Sequence, residues 1–166
     1  MANLVIICGK SGTGKSTAGY QLDPKSTFWI NCDQKALPFK GWKKAYSKEN
    51  KNYTKTSSMS DIATLLGAIP DKAPHIKAVV IDTVNRMMTD KVMAERHVKG
   101  FEKWSNLSGG IYDIFSVINQ SLPDDIDVFV LSHSDEGYND MGTQYKKVMT
   151  AGKQLDKIVL ESMSSV

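Results

Sequence analysis

Arginine is nearly missing from this sequence. Of 21 basic residues in 166, 19 are lysine; Arg86 and Arg96 are the only arginines. That scarcity argues against enzymes that shield a transferring phosphoryl group with an arginine-lined lid. Cysteine is sparse too. Cys8 and Cys32 lack metal-ligand spacing and fall in strand-like segments, so they read as free buried thiols of a reducing compartment. No apolar run approaches the ~20 residues of a membrane span. The N-terminal MANLVIIC has neither a basic leader nor a small-residue cleavage site, so the expectation is a cytoplasmic protein without membrane contact. Repeats and low-complexity tracts are absent. A net charge of +3 is too small for a chain that binds nucleic acid with its whole surface.

What remains is ordinary globular composition, 41% hydrophobic and 23% charged, in a length that suits one domain over 1–166. Four continuous apolar runs read as strands buried on both faces: Leu4–Cys8, Thr27–Asn31, Ala78–Asp82 and Asp127–Ser132. Between them lie helical patterns. One should start near Gly14 and stop before Asp23-Pro24. A second follows the capping signal Ser58-Met59-Ser60-Asp61, with Met59, Ile62, Leu65, Leu66 and Ile69 on one face, and Pro70 and Pro74 bound the loop after it. A third starts at Thr83, a plausible cap, and runs towards Gly100. A fourth covers 108–122. Strands alternating with helices imply an α/β fold, a mostly parallel sheet with helices on both faces. Residues 33–57 read as a long polar insertion, Asp135–Gln144 as a loop, and 146–150 and 157–162 as weaker strands. The sequence stops at Ser164-Ser165-Val166 with no closing helix, which leaves open that it is a stretch of a longer protein.

The most specific signal follows the first strand. Gly9-Lys10-Ser11-Gly12-Thr13-Gly14-Lys15-Ser16, with Thr17 behind it, satisfies G-x-x-x-x-G-K-[ST] in full. A chance match occurs at roughly one position in 30,000. In such a loop the backbone N–H groups turn inward around phosphates, and the following helix start adds partial positive charge. Lys15 would bridge the β- and γ-phosphates, and the Ser16 hydroxyl would bind Mg²⁺. Asp82, ending the strand AVVID, fits the second metal-side position, acting on Mg²⁺ mainly through water; the alternative is a carboxylate capping the next helix. ATP and Mg²⁺ are the implied ligands. The residue after Asp82 is threonine, not the glutamate that activates water in many ring ATPases, so any base lies elsewhere.

Taken together, CGKSGTGKST, WINCDQKAL, AVVIDTVN, VFVLSH and TAGKQLDK resemble the RecA-type recombinase core. They are especially similar to the short phage ATP-binding proteins of the Sak-type single-strand annealing group. The resemblance runs from Leu4 to about Leu160. It implies a P-loop NTPase fold and ATP hydrolysis in DNA recombination or single-strand annealing. The water-polarising carboxylate would be Asp33, where the family usually has glutamate; the aspartate is shorter by one methylene, about 1.5 Å of reach. His133 would be the γ-phosphate sensor. The loop from Ser134 to Lys147 would be the second DNA-binding loop. A homo-oligomer is also implied, with ATP between subunits and a cation from the neighbour, for which Lys153 is the choice over Arg86 or Arg96. On the residues alone, Asp33 also reads as a turn carboxylate and His133 as a strand-end histidine bonded to backbone.

Two segments could meet single-stranded DNA. Lys35–Lys55 has seven lysines against Glu49, with Phe39, Trp42, Tyr46 and Tyr53 interleaved as stacking platforms, unless those rings pack on the core. Residues 134–147 offer Tyr138, Met141, Tyr145, Lys146 and Lys147, against the opposing charges of Asp135, Glu136 and Asp140. Competing functions are a small-molecule or nucleotide kinase, and an ATP-gated interaction module that hydrolyses little. A GTPase is disfavoured because N-K-x-D is absent.

Overall fold

The structure, a computed structural model, describes residues 2–158 and 160–165. Met1, Val159 and Val166 lie outside the described residues, and so do the parts of the leader, 157–162 and chain-end readings that rest on them.

The four apolar runs are strands where expected. β1 is Asn3–Cys8, β2 Thr27–Asn31, β4 Ala78–Asp82 and β5 Asp127–Ser132, with the short β3 at Tyr53–Thr54. They form one sheet in the order β1-β5-β4-β2-β3, and every pairing in it is parallel. All five residues of β4 are buried, as a strand covered on both faces requires.

The helices are α1 (Lys15–Ala18), α2 (Trp42–Ala45), α3 (Met59–Lys72), α4 (Val84–Ala94), α5 (Glu102–Ser121) and α6 (Lys153–Ile158). On one face, α3 and α5 cover Leu4, Ile30, Val79, Ile81, Val128 and Val130 with Ile62, Leu66, Leu107, Ile111 and Phe115. Full burial of each such side chain stabilises by about 1.5–3 kcal/mol. On the opposite face Trp29, Val80 and Leu131 lie under Leu37, Tyr46 and Tyr53. No helix of the described residues is long and apolar enough to cross a membrane.

Several expectations need correction. Pro70 sits inside the last turn of α3 rather than after it; the helix still closes with Ala73 N–H donating to the Ile69 carbonyl at 2.9 Å. Helix α4 ends at Ala94, before a series of turns, and α5 begins six residues earlier than its apolar pattern shows. The polar stretch after β5 is a hairpin, β6 (Ser134–Tyr138) against β7 (Gln144–Val148). Its cross-strand partners include Glu136 with Lys146 and Asp135 with Lys147, so opposite charges replace apolar contacts in setting the register. Among the described residues of 157–162 there is no strand. Lys157 and Ile158 end α6, and Leu160–Met163 forms a 3₁₀ turn in which Leu160 is buried.

Gly19, just past α1, lies on the Trp29 ring: a Cβ there would meet Trp29 Cη2 and Cζ3 at 2.6 Å. Trp29 is fully buried and has no room to retreat. Gly19→Ala should therefore lower stability by about 1–3 kcal/mol through overpacking. The reading is a lower urea midpoint at unchanged m-value; an unmoved midpoint would contradict this packing.

Candidate functional site

Parallel register brings the strand ends into one row. Cys8 pairs with Ser132, Asp82 with Leu131, and Asn31 with Asp82. The residues that follow each strand therefore emerge along the same edge of the sheet. Gly9 is fixed there by its N–H donating to the Ser132 carbonyl at 3.1 Å, and its carbonyl accepts from the Ser134 N–H at 3.3 Å.

From that anchor the glycine-rich loop turns back on itself. Gly12 and Gly14 both have left-handed backbones, φ 78° and 86°, which a side chain would strain. The Lys15 ammonium is folded onto the loop, donating to the Gly9 and Lys10 carbonyls at 2.7 and 2.8 Å. Thr13 Oγ1 donates to the Lys10 carbonyl at 2.8 Å. Ser11 and Thr17 are exposed on the outside of the turn. A cavity of about 440 Å³ opens above Gly9, Gly14 and Lys15, with Lys10, Glu136 and Lys146 on its rim. The helix behind the loop is one turn long before it tightens into a 3₁₀ turn at Gly19–Gln21. The partial positive charge that this helix start adds is that of a single turn.

Asp82 and Ser16 meet beside this loop. Burial raises the Asp82 carboxyl above its ordinary range, and the nearby Asp33 charge adds to that; the Ser16 hydroxyl, donating to it, and the Lys15 and His133 charges oppose. A buried carboxylate with a hydroxyl near it, beside the glycine-rich loop, offers hard oxygen donors suited to Mg²⁺. Among the described residues no three His, Cys, Asp or Glu side chains gather to hold a metal alone. An ion here would thus complete its shell with phosphate and water, the usual habit of Mg²⁺.

Asp33 follows β2 on the neighbouring strand. Cys32 and Asp33 both donate their N–H groups to the Asp82 carbonyl, at 2.7 and 3.1 Å. The Asp82–Thr83 peptide is cis. Thr83 does not cap α4 with its side chain; its hydroxyl donates to Asp33 Oδ1 at 3.0 Å. Lys35 Nζ lies 3.5 Å from Asp33 Oδ2. Asp33 is therefore drawn to the Asp82 end of the sheet with both its oxygens engaged. Burial pushes the adjacent Cys32 thiol far up, which makes it an inert core group.

His133 leaves β5 beside Asn85. Asn85 Oδ1 accepts from the His133 N–H at 2.7 Å and from the Ser132 hydroxyl at 3.1 Å. Its Nδ2 donates to the Met149 carbonyl at 2.8 Å, just past β7. One amide side chain thus ties the start of α4, the end of β5 and the root of the hairpin together. Sequence reasoning gave Asn85 no role, since its only signal is an amide three residues past Asp82.

The two surfaces considered for DNA differ in structure. In the 33–57 segment Tyr46 and Tyr53 are buried and Phe39 and Trp42 half-buried; Trp29 stacks against Phe39 and Tyr46 at 5.9 and 5.3 Å between centroids. Tyr46 and Tyr53 join a small core with Trp29, while Phe39 and Trp42 keep part of their surface outside it and the lysines stay exposed. On the hairpin, Tyr138 and Met141 are 73% and 89% exposed at the tip. Both arginines lie away from the phosphate cavity: Arg86 pairs with Asp90 at 2.8 Å and Arg96 donates to the Met93 carbonyl. Lys153 is exposed at the start of α6.

The fold resembles that of a KaiC-like protein from the hyperthermophilic archaeon Pyrococcus horikoshii. The TM-score is 0.54 at 11% identity, over 91% of this chain and 80% of that one. No curated protein matches the sequence. The model of an AAA domain family matches residues 1–165. With its RecA-like parallel sheet and its glycine-rich loop after β1, the chain belongs to that AAA domain family.

Proposed function

We propose that this chain binds Mg·ATP at the Gly9–Thr17 loop, hydrolyses it slowly, and uses the nucleotide state to govern single-stranded DNA binding in recombination or annealing, as in a phage. The observation that carries the nucleotide reading is the meeting of Lys15, Ser16 and Asp82 at one edge of the sheet. Bound Mg²⁺ would neutralise triphosphate charge there. Lys15 would leave its own carbonyls for the phosphates, Ser16 and Asp82 would face the ion, and Asp33 would orient water. An oligomer with ATP between subunits fits the open cavity, Lys153 being the proposed cation from the neighbour.

A second reading is favoured by one observation. Asp33 is engaged by Thr83 and Lys35, so each of its oxygens already serves a partner within the chain. That arrangement suits an ATP-gated interaction module with little turnover.

Turnover assays separate these readings. Lys15→Ala should cut ATP hydrolysis by about 10²–10³-fold, and equal turnover would sink the phosphate-loop assignment. Asp33→Asn should abolish hydrolysis and spare ATP binding; if wild-type protein binds ATP and neither form turns it over, the module reading holds.

Asp82→Asn should stabilise the nucleotide-free protein and remove Mg²⁺-dependent ATP binding. The sign follows from burial: a raised carboxyl holds its proton more tightly folded than unfolded, so ionisation at neutral pH costs stability. A lower urea midpoint in the variant would contradict that account.

For DNA, fluorescence anisotropy of labelled oligo-dT with and without Mg·ATPγS is the direct test. Six phosphate contacts from the exposed lysines would give a log–log salt slope of about −4. Binding that strengthens with nucleotide supports the recombinase reading, and absence of binding in every state refutes it.

A further inference from the structure

The cavity above the phosphate loop is shared with the hairpin. Glu136 of β6 reaches into it, with Oε2 3.0 Å from Lys10 Nζ and Oε1 3.2 Å from Lys146 Nζ. The Ser134 hydroxyl also donates to Oε1, at 2.8 Å. Ser134, Lys10 and Lys146 in that order hold the carboxyl down at about 2, so it is an anion at any physiological pH. Pairing with Lys146 is what the hairpin register supplies. Lys10 is different, because it belongs to the phosphate loop and no strand pairing brings it to Glu136. Two ammonium groups and a hydroxyl therefore build an anion seat on the rim of a cavity whose floor is Gly9, Gly14 and Lys15. The anion in that seat is part of the chain.

We infer that Glu136 stands in for a nucleotide phosphate: a nucleoside triphosphate displaces it, its terminal phosphate takes Lys10 and Lys146, and the outer part of the β6–β7 hairpin is released. This rests on the reading of the loop as an ATP site and adds the regulation of that site. The step is an exchange of ionic partners, with no bond made or broken. Phosphate carries more charge and more acceptor oxygens than a carboxylate, so it wins the lysines once Mg²⁺ and the loop hold it in place. The hairpin's root stays fixed during the exchange. The Cys8 thiol donates to the Lys147 carbonyl at 3.6 Å, the Val148 N–H to Glu161 at 2.6 Å, and Asn85 to the Met149 carbonyl at 2.8 Å. The released part is therefore residues 136–145, with Lys146 held by the phosphate, and it includes the exposed Tyr138 and Met141. Its aromatic tip and Lys146 would then answer to nucleotide in the same chain.

Isothermal titration calorimetry with Mg·ATPγS and Mg·ADP, joined to hydrogen exchange of the 134–148 amides, tests this. Two exposed ion pairs set the scale, so Glu136→Gln should tighten ATPγS by about three- to tenfold. ATPγS should speed exchange across 136–145 in the wild type. In Glu136→Gln that exchange should already be fast and should no longer respond. Lys146→Ala should weaken ATPγS by about threefold and ADP less. Wild-type ATPγS binding with an equal or looser Glu136→Gln constant overturns the stand-in role and leaves the ATP site intact. Hairpin amides that ignore nucleotide in the wild type also overturn it. Absence of ATPγS binding in both wild type and Glu136→Gln overturns the ATP reading and this inference together.

Discussion

The parallel register of β1, β5, β4 and β2 is the constraint from which the site follows. Parallel strands run the same way, so their carboxyl ends share one edge, and hydrogen bonding fixes how far each reaches. Cys8, Ser132, Asp82 and Asn31 end in step. The phosphate loop, His133, Thr83 and Asp33 must then follow side by side. The same burial that stabilises the central strand makes its last residue costly to ionise. Asp82 has lost water and regains little of it through Ser16. A divalent cation would return what the fold has taken away. On the proposed metal role, stability and binding would oppose each other at this one carboxylate.

Around that edge three charged groups have partners within the chain. Lys15 faces the carbonyls of Gly9 and Lys10, Asp33 faces Thr83 and Lys35, and Glu136 faces Lys10, Lys146 and Ser134. Partly buried polar groups left unpaired would be expensive, so a site without ligand satisfies itself. Ligand binding at such a site is a trade of contacts, and the net affinity is the small difference between two sets. What the trade gains is sensitivity, because each released group belongs to a different element of the fold.

The parts legible in the sequence are those fixed by local pattern. Four apolar runs marked four strands, three of them to the residue and β1 from one residue late, and the spacing of Gly9, Gly14 and Lys15 marked the loop. The hairpin was illegible because its strands have no apolar face: Glu136 opposite Lys146 and Asp135 opposite Lys147 are tertiary pairs written in charges. The start of α5 was hidden by Gly109-Gly110, which breaks the apolar period, and the Ile-Val-Leu run at 158–160 imitated a strand at a place where Leu160 packs from a 3₁₀ turn. The aromatic residues of 33–57 could be read either as stacking platforms or as core. The position of Trp29 beneath them draws Tyr46 fully and Phe39 partly into the core. Asn85 joins three elements by one side chain, and no local pattern encodes that.

The scarcity of arginine acquires a physical meaning at the loop rim. A guanidinium would grip Glu136 through two parallel hydrogen bonds in a fixed plane. Lys10 and Lys146 hold it as point charges on flexible stems, at 3.0 and 3.2 Å, with most of each side chain in water. Such contacts are individually weak and carry little geometric demand. An anion of different shape can therefore replace the carboxylate without the lysines having to be rebuilt around it. With arginine at those positions the pairing would be tighter and more directional, and release would need correspondingly more binding energy from the nucleotide. A rim built from lysine favours exchange over grip.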